Sequence, residues 1–277
     1  MQKQGIRPWL RAQMAKGRLY VTREELQKAF PLYSKAALSQ AIARAEDDAL
    51  LAYGWRGFYL LLPPAYAARK SLPPSLYIDG LMRYLNRPYC VSLLNAAETY
   101  GAAHQRPMRY TVMTSNPPPR SRKTGVVQID FVAKREFNSG IPKELVRSIK
   151  VQTGYLSVST PEVTALSLIQ YAKAAGGLSH VVTVLEELVD ECHFDKLSPL
   201  VLQYFPISCF QRLGYILEEV LQYADQANNL YAYLLEYHRR RLMPVLLSAG
   251  KADVSATFNK KWNVNINAQL ESDLYDT

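Results

Sequence analysis

Cysteine is scarce in this chain and poorly arranged for a structural role: Cys90, Cys192 and Cys209 are odd in number, widely separated and without CxxC spacing. That argues against a disulfide framework or a zinc ribbon and makes a reducing cytoplasm the expected compartment. Long apolar runs are missing too. The start, Met1-Gln2-Lys3-Gln4-Gly5, has no signal-peptide core, and no stretch approaches the length needed to span a bilayer. The expectation is a soluble, unsecreted protein with no membrane partner. Histidine is rare: His104, His180, His193 and His238 lie far apart, and none sits near a Ser or Cys in a nucleophile-elbow context. Cys192 and His193 are adjacent, but helical neighbours diverge by about 100°, so a buried Cys beside a surface His is expected rather than a reactive pair. No repeat, low-complexity tract, metal-ligand set or cofactor pattern is found.

Positive charge, by contrast, is abundant and uneven. The formal net charge is +9 over 277 residues, a length sufficient for two domains with their own cores. Residues 1–63 carry 10 Lys/Arg against 5 Asp/Glu and residues 64–150 carry 14 against 5, whereas residues 151–247 carry 6 against 10 and residues 248–277 carry 3 against 4. Attraction to a polyanion therefore belongs to the first half.

Within that half, residues 18–62 follow an order with almost no spare residues. Arg18-Leu19-Tyr20-Val21 reads as a strand, and Thr22 with Glu25 has capping-box spacing for a helix that Pro31 ends. After a three-residue turn, Ser34 is a suitable N-cap for a second helix, with Leu38, Ala41, Ile42 and Ala45 on one buried stripe. Its outward arc carries Ala36, Gln40 and Ala43, flanked by Ser39 and Arg44, with Lys35 in the first turn. Two apolar runs, residues 50–53 and 58–62, then bracket Gly54-Trp55-Arg56-Gly57 as a hairpin tip. This is the outline of a winged helix-turn-helix. Small and polar residues on the second helix suit base edges and phosphates, and Arg56 at the tip suits a phosphate or a minor groove; chance helical spacing and a solvated loop Arg are the plainer alternative.

Paired prolines at 63–64 and 73–74 mark a stiff linker. Beyond it, residues 76–84 and 92–100 have helical spacing, the latter ending at Gly101. Residues 109–113 and 125–132 look like two strands of a hairpin, joined by the polar, basic, proline-stiffened stretch from Asn116 to Thr124. Arg120, Arg122 and Lys123 on it are either solvated charges or a docking surface for a toxin or nucleic acid. After a strand at 156–158, Thr160-Pro161-Glu162 starts a helix that should run to Gly176-Gly177. Ser179 then caps a segment with Val181, Val184, Leu185 and Leu188 on one face, and later helices contain Phe210, Leu213 and Leu217, then Leu230, Leu234 and Tyr237. Arg239-Arg240-Arg241 complements the negative pole of the last helix, or meets phosphate.

An enzyme reading takes the form of a nuclease. Asp130 and Lys134 share a strand face, and Glu98 is a candidate second Mg²⁺ ligand, but a strand-end acid and lysine are common.

Four segments together resemble the AbiEi family of antitoxins: residues 96–104 (AAETYGAAH), 160–166 (TPEVTAL), 212–215 (RLGY) and 261–265 (KWNVN). The resemblance implies an α+β chain that joins an N-terminal winged helix-turn-helix to a mostly helical antitoxin-type domain; the residues themselves place these at 1–66 and 76–277, with the linker at 67–75. It further implies an antitoxin of a bacterial type IV toxin–antitoxin system, associated with phage defence, that represses its own operon and counteracts a nucleotidyltransferase-like toxin. Lys35, Ser39, Gln40, Arg44 and Arg56 are then the DNA-binding residues, on operator DNA with inverted repeats that two copies could share. The linker and the basic loop at Arg120–Lys123 match no motif of the family, and the Glu162 segment is explained by capping alone. A protein-interaction module with the winged helix as scaffold is the alternative.

Overall fold

The computed structural model describes residues 5–102, 109–238, 240–250 and 257–270. Ala103 and His104 of the first resemblance segment, Arg239 of the triple arginine and residues 1–4 lie outside them. The chain is α+β, and contacts divide it into two compact units: Met1–Cys90, Met108–Asn138 and Ser148–Ser157 form one; Val91–Pro107, Ser139–Arg147 and Val158–Thr277 form the other. Residues 67–75, expected as a linker, fall inside the first unit, where Ser71 and Leu72 are buried.

The first unit begins with α1 (Ile6–Ala15), β1 (Tyr20–Thr22), α2 (Arg23–Ala29), α3 (Lys35–Asp47), β2 (Leu51–Trp55) and β3 (Phe58–Leu61). The three strands form a sheet with β3 in the middle, antiparallel to both neighbours. Local chemistry sets the helix starts. Glu25 N–H donates to Thr22 Oγ1 at 3.2 Å and Thr22 N–H donates to Glu25 Oε2 at 2.7 Å, while Ala37 N–H donates to Ser34 Oγ at 3.1 Å. Leu38, Ile42 and Ala45 of α3 enter a core with Leu10, Leu26 and Leu61; Ala41 is only partly buried at its edge.

After α4 (Pro64–Ala67), α5 (Ile78–Tyr84) packs on the strands of that sheet. A Cβ on Gly80 would lie 2.4 Å from the Tyr20 ring, so the approach depends on glycine. Tyr20 stacks on Phe58 at 4.8 Å, and Phe58 meets Tyr84 at 5.5 Å.

Further strands are β4 (Tyr89–Val91), β5 (Arg109–Thr114), β6 (Arg122–Thr124), β7 (Val127–Ala133), β8 (Val146–Val151) and β9 (Gly154–Ser159), in the order β6-β7-β5-β4-β9-β8. Here the sequence expectation needs correcting. β5 and β7 are not a hairpin: they pair in parallel from Arg109↔Gln128 to Thr114↔Ala133. The antiparallel partner of β7 is β6, cut from the stretch expected to be only a loop and joined to β7 by the tight Gly125-Val126 turn. Gly125 has φ +59, and a Cβ there would lie 2.7 Å from the Arg69 carbonyl oxygen, so glycine is needed both for the turn and for its neighbour. Because β6 reverses the chain before β7 starts, β7 must run in the same sense as β5.

The second unit contains α6 (Leu94–Thr99), α7 (Pro161–Gln170), α8 (Leu178–Leu188), α9 (Ile207–Tyr215), which continues as a π-helical turn over Ile216–Val220, and α10 (Ala224–Tyr237). Val181, Val184, Leu185, Leu188, Phe210, Leu213, Leu217, Leu230 and Leu234 are all buried, as their spacing predicts. Two boundaries differ from the sequence reading. α7 stops at Gln170 and gives way to turns, in which Ala174 N–H donates to Tyr171 O and Gly177 N–H to Ala172 O. Gly177, at φ +103, rather than Ser179, occupies the N-cap of α8, because the reversal there needs a left-handed backbone.

The unit closes with β10 (Val245–Leu246), β11 (Phe258–Asn259) and β12 (Val264–Asn265), ordered β10-β12-β11. Two of the resemblance segments meet here. Trp262 is fully buried on Gly214, where a Cβ would lie 2.1 Å from its ring. Gln211 Nε2 donates to the carbonyls of Met243 and Trp262, both at 2.8 Å, and Arg212 Nε donates to Leu246 O at 2.8 Å. Trp262 Nε1 and Lys261 Nζ donate to the two oxygens of Glu218 at 2.6 Å each. The tail is thus locked onto α9 by one glycine gap and five polar bonds.

Gly214→Ala should destabilise the fold by about 1–3 kcal/mol through overpacking against Trp262, and Trp262→Ala by about 3–5 kcal/mol. The two act on one contact, so chemical denaturation of the double variant should show a loss at least about 0.5 kcal/mol smaller than the sum.

Candidate nucleic-acid interface

Every residue the sequence reading assigned to DNA contact belongs to the first unit, as do Arg120, Arg122 and Lys123. Lys35, Ser39, Gln40 and Arg44 all lie exposed on α3, and Arg56 is exposed in the two-residue turn between β2 and β3. The spacing explains the display: with Leu38, Ile42 and Ala45 turned into the core, the polar positions must face outward.

These residues are not equally available. The Ser39 hydroxyl donates to Lys35 O at 2.9 Å and accepts from Arg23 Nη2 at 2.7 Å, so its hydrogen is committed. Gln40 keeps its whole carboxamide without a partner among the described residues, and Lys35, Arg44 and Arg56 make no ion pair there. Arg56 is fixed through its main chain: Tyr84 Oη donates to its carbonyl at 3.0 Å, and the neighbouring Gly57 carbonyl accepts from Arg23 N–H at 2.8 Å. Gly57 has φ +77, and a Cβ would lie 2.5 Å from Tyr84 Oη, so the turn is closed on both sides.

Arg23 is the residue that sequence reasoning missed. Its N–H holds the β2–β3 turn and its guanidinium reaches Ser39, so one residue joins the hairpin tip to α3. A signal was present: Arg23 is the first residue of α2, where a cation faces the positive end of the helix dipole and is unfavourable unless something else employs it. The geometry gathers Arg23, Lys35, Ser39 and the Arg56 turn, with Gln40 next to Ser39 and Arg44 about one turn further along α3.

The basic stretch is built onto the same unit. Arg122 sits over the Tyr53 ring at 4.4 Å, and Thr124 Oγ1 donates to Tyr53 O at 3.4 Å. Arg120 and Lys123 are exposed.

Of the residues of the nuclease reading, Asp130 is otherwise occupied. Asp130 accepts from Gln128 Nε2 at 2.8 Å and Arg109 Nη1 at 3.1 Å; burial raises its pKa, but these donors and the arginine charge bring it below the ordinary carboxylate value. Lys134 is buried, and no cluster of three or more His, Cys, Asp or Glu able to hold a metal occurs among the described residues. The cysteines are buried, with Cys90 pushed up to about 12 by burial against a partial offset from Lys134, which leaves a poor nucleophile. His193 is exposed beside buried Cys192. Glu162, 7 % exposed, accepts from His193 N–H at 2.8 Å, and Thr160 Oγ1 accepts from Val163 N–H at 3.3 Å, so this segment braces the second unit.

Residues 89–219 match the family profile described as the AbiEi antitoxin C-terminal domain. The chain thus carries an AbiEi antitoxin C-terminal domain over these residues, and that domain supports an antitoxin role in a toxin–antitoxin pair. The crystal structure of RV2827C protein from Mycobacterium tuberculosis is similar over 92 % of this chain and 88 % of that one, with TM-score 0.64 and 17 % identity, a likeness of fold. The solution structure of antibiotic-resistance factor ANT(2'')-Ia covers 59 % of this chain and 94 % of its own at 11 % identity, but its TM-score of 0.33 is too low to argue from. None of the curated proteins compared matches the chain. Among the described residues no helix is long and apolar enough to cross a membrane.

The Thr22–Glu25 box that orients Arg23 has an acid-sensitive component. Burial raises the Glu25 pKa, but bonds from Thr22 N–H and Arg18, with the Arg18 charge, carry it below its usual value. A folded pKa below the unfolded one contributes stability above about pH 4.5 that is lost as pH falls through the folded value. Glu25→Gln should therefore cost up to about 1 kcal/mol at pH 7, discounted for exposure, and much less at pH 3; thermal unfolding at both values checks it.

Proposed function

We propose that the chain is a DNA-binding antitoxin of a type IV toxin–antitoxin system that represses its own operon and counteracts a nucleotidyltransferase-like toxin in the cytoplasm, as part of a defence against phage. It acts by binding, not by catalysis. The observation that carries the reading is the outward face of α3, where Gln40 offers an uncommitted carboxamide between two unpaired cations, Lys35 and Arg44. Residues 1–66 act as a winged helix-turn-helix, and the antitoxin function lies in the chain beyond them, within residues 76–277. α3 enters the major groove; Gln40 is suited to an adenine edge, and Ser39 retains one lone pair for a base donor. Lys35 and Arg44 hold phosphates, and Arg56, on a turn closed by Tyr84 and Arg23, reaches the backbone or the minor groove. Few base pairs fit under one such module, so two copies share an inverted repeat, by dimerisation or cooperative binding.

A second reading keeps the fold and makes this region a protein-docking scaffold for the toxin or another acidic protein. It is favoured by Leu32, a large apolar side chain 77 % exposed in the turn between α2 and α3.

Electrophoretic shifts on the upstream DNA and on unrelated DNA over a salt series separate the two. Gln40→Ala should weaken upstream binding by about 1–3 kcal/mol and relax specificity, whereas Arg44→Ala should weaken both DNAs and lower the salt slope by about one. Equal, salt-labile binding to both DNAs, unchanged in a Gln40→Ala, Arg44→Ala protein, would remove α3 as the reading element and promote the docking scaffold.

A further inference from the structure

The second unit contains a cationic cavity that neither DNA reading nor the antitoxin family description accounts for. It measures about 440 Å³, and its lining includes Arg240, Arg241, Lys260 and Lys261 beside Tyr231 and Leu235. Its surroundings make this concentration unusual, since residues 151–247 carry 6 Lys/Arg against 10 Asp/Glu. Two dibasic pairs about twenty positions apart in sequence are brought to one place.

They are held there by the tail lock. β10 and β12 pair in parallel, and Gln211 Nε2 ties Met243 O to Trp262 O, which fixes the chain just after Arg241 and just after Lys261. Among the described residues only Lys261 has its charge answered, by Glu218 at 2.6 Å. Arg240, Arg241 and Lys260 make no ion pair among the described residues. The negative pole of α10 is an insufficient explanation, because a helix pole fades within a turn and Lys260 arrives from a different segment. Like charges held together by a rigid framework repel one another until an anion sits between them.

The lining also limits what that anion is. Guanidinium forks match phosphate oxygens in pairs, and the volume lies within the range of small-ligand sites, roughly 300–1,000 Å³. Leu234, Leu235 and Leu242, with the half-buried Tyr231 ring, add an apolar wall that a bare inorganic anion would not use. We propose that this cavity binds a mononucleotide, its phosphates on Arg240, Arg241 and Lys260 and its base against the Tyr231 and leucine wall.

Isothermal titration of the full chain with ATP and GTP tests this, with tripolyphosphate and adenosine as parallel ligands and Trp262 fluorescence as a second signal. The expected result is nucleotide binding with Kd below about 1 mM, at least tenfold weaker in an Arg240→Ala, Arg241→Ala protein and in Lys260→Ala, with unchanged circular dichroism and unchanged DNA shifts. Lys260→Ala, a single exposed position, keeps the test valid if the double variant does not fold. No heat or fluorescence change with either nucleotide would overturn the proposal, as would binding that both variants leave intact. Tripolyphosphate binding as tightly as ATP would overturn the nucleotide assignment, because the apolar wall would then contribute nothing.

Discussion

The close approach of α5 to the three-stranded sheet is the constraint on which the candidate DNA face depends. It exists because Gly80 has no side chain where the Tyr20 ring must lie. Tyr20, Phe58 and Tyr84 then form a continuous run of ring contacts, and the last of them donates from its hydroxyl to the Arg56 carbonyl. From the other side Arg23 holds Gly57 and reaches Ser39. The turn is therefore tied to α3 by Arg23 and braced by a helix the sequence reading placed in the second domain. A preorganised pair of contact elements loses less entropy on binding than two mobile ones.

Much of this was legible in the sequence where the determining forces are local. Thr22 with Glu25, Ser34, and Thr160 with Pro161 each satisfy backbone donors within one turn, and each starts a helix where its chemistry predicts. The apolar stripes of α3, α8 and α9 were readable for a similar reason, since burial of one face sets a 3.6-residue period. What escaped was set by partners distant in the chain. Alternation identifies β5 and β7 as strands but says nothing of their relative direction, which follows from the three residues of β6 lying between them in sequence. The exposed arc of α3 was visible, but not that Arg23 occupies the Ser39 hydroxyl, because that bond spans 16 positions.

The resemblance segments divide in the same manner. TPEVTAL and RLGY with KWNVN are explained by what they do inside the fold: Glu162 receives the His193 amide, and Gly214 makes room for Trp262 while Gln211 and Arg212 secure the tail. A family signature of this kind records how the domain is held together. The exposed side chains proposed to meet partners, Gln40 and Arg44 in one unit and Arg240 and Lys260 in the other, lie outside it, and so the signature identifies the domain without identifying its ligand.

The parallel pairing of β5 and β7 has a consequence for how the chain reaches its native state. β6 follows β5 in sequence, yet in the sheet β7 lies between them. The β6–β7 hairpin needs only the two-residue turn at Gly125-Val126 and can close early, whereas the contact with β5 bridges nineteen positions at every pair and requires that hairpin to arrive with β7 leading. Until it does, β5 exposes one unpaired edge with Val112 and Met113, residues that are buried in the finished sheet. The interval between hairpin closure and docking is thus when this segment is most open to pairing with another chain.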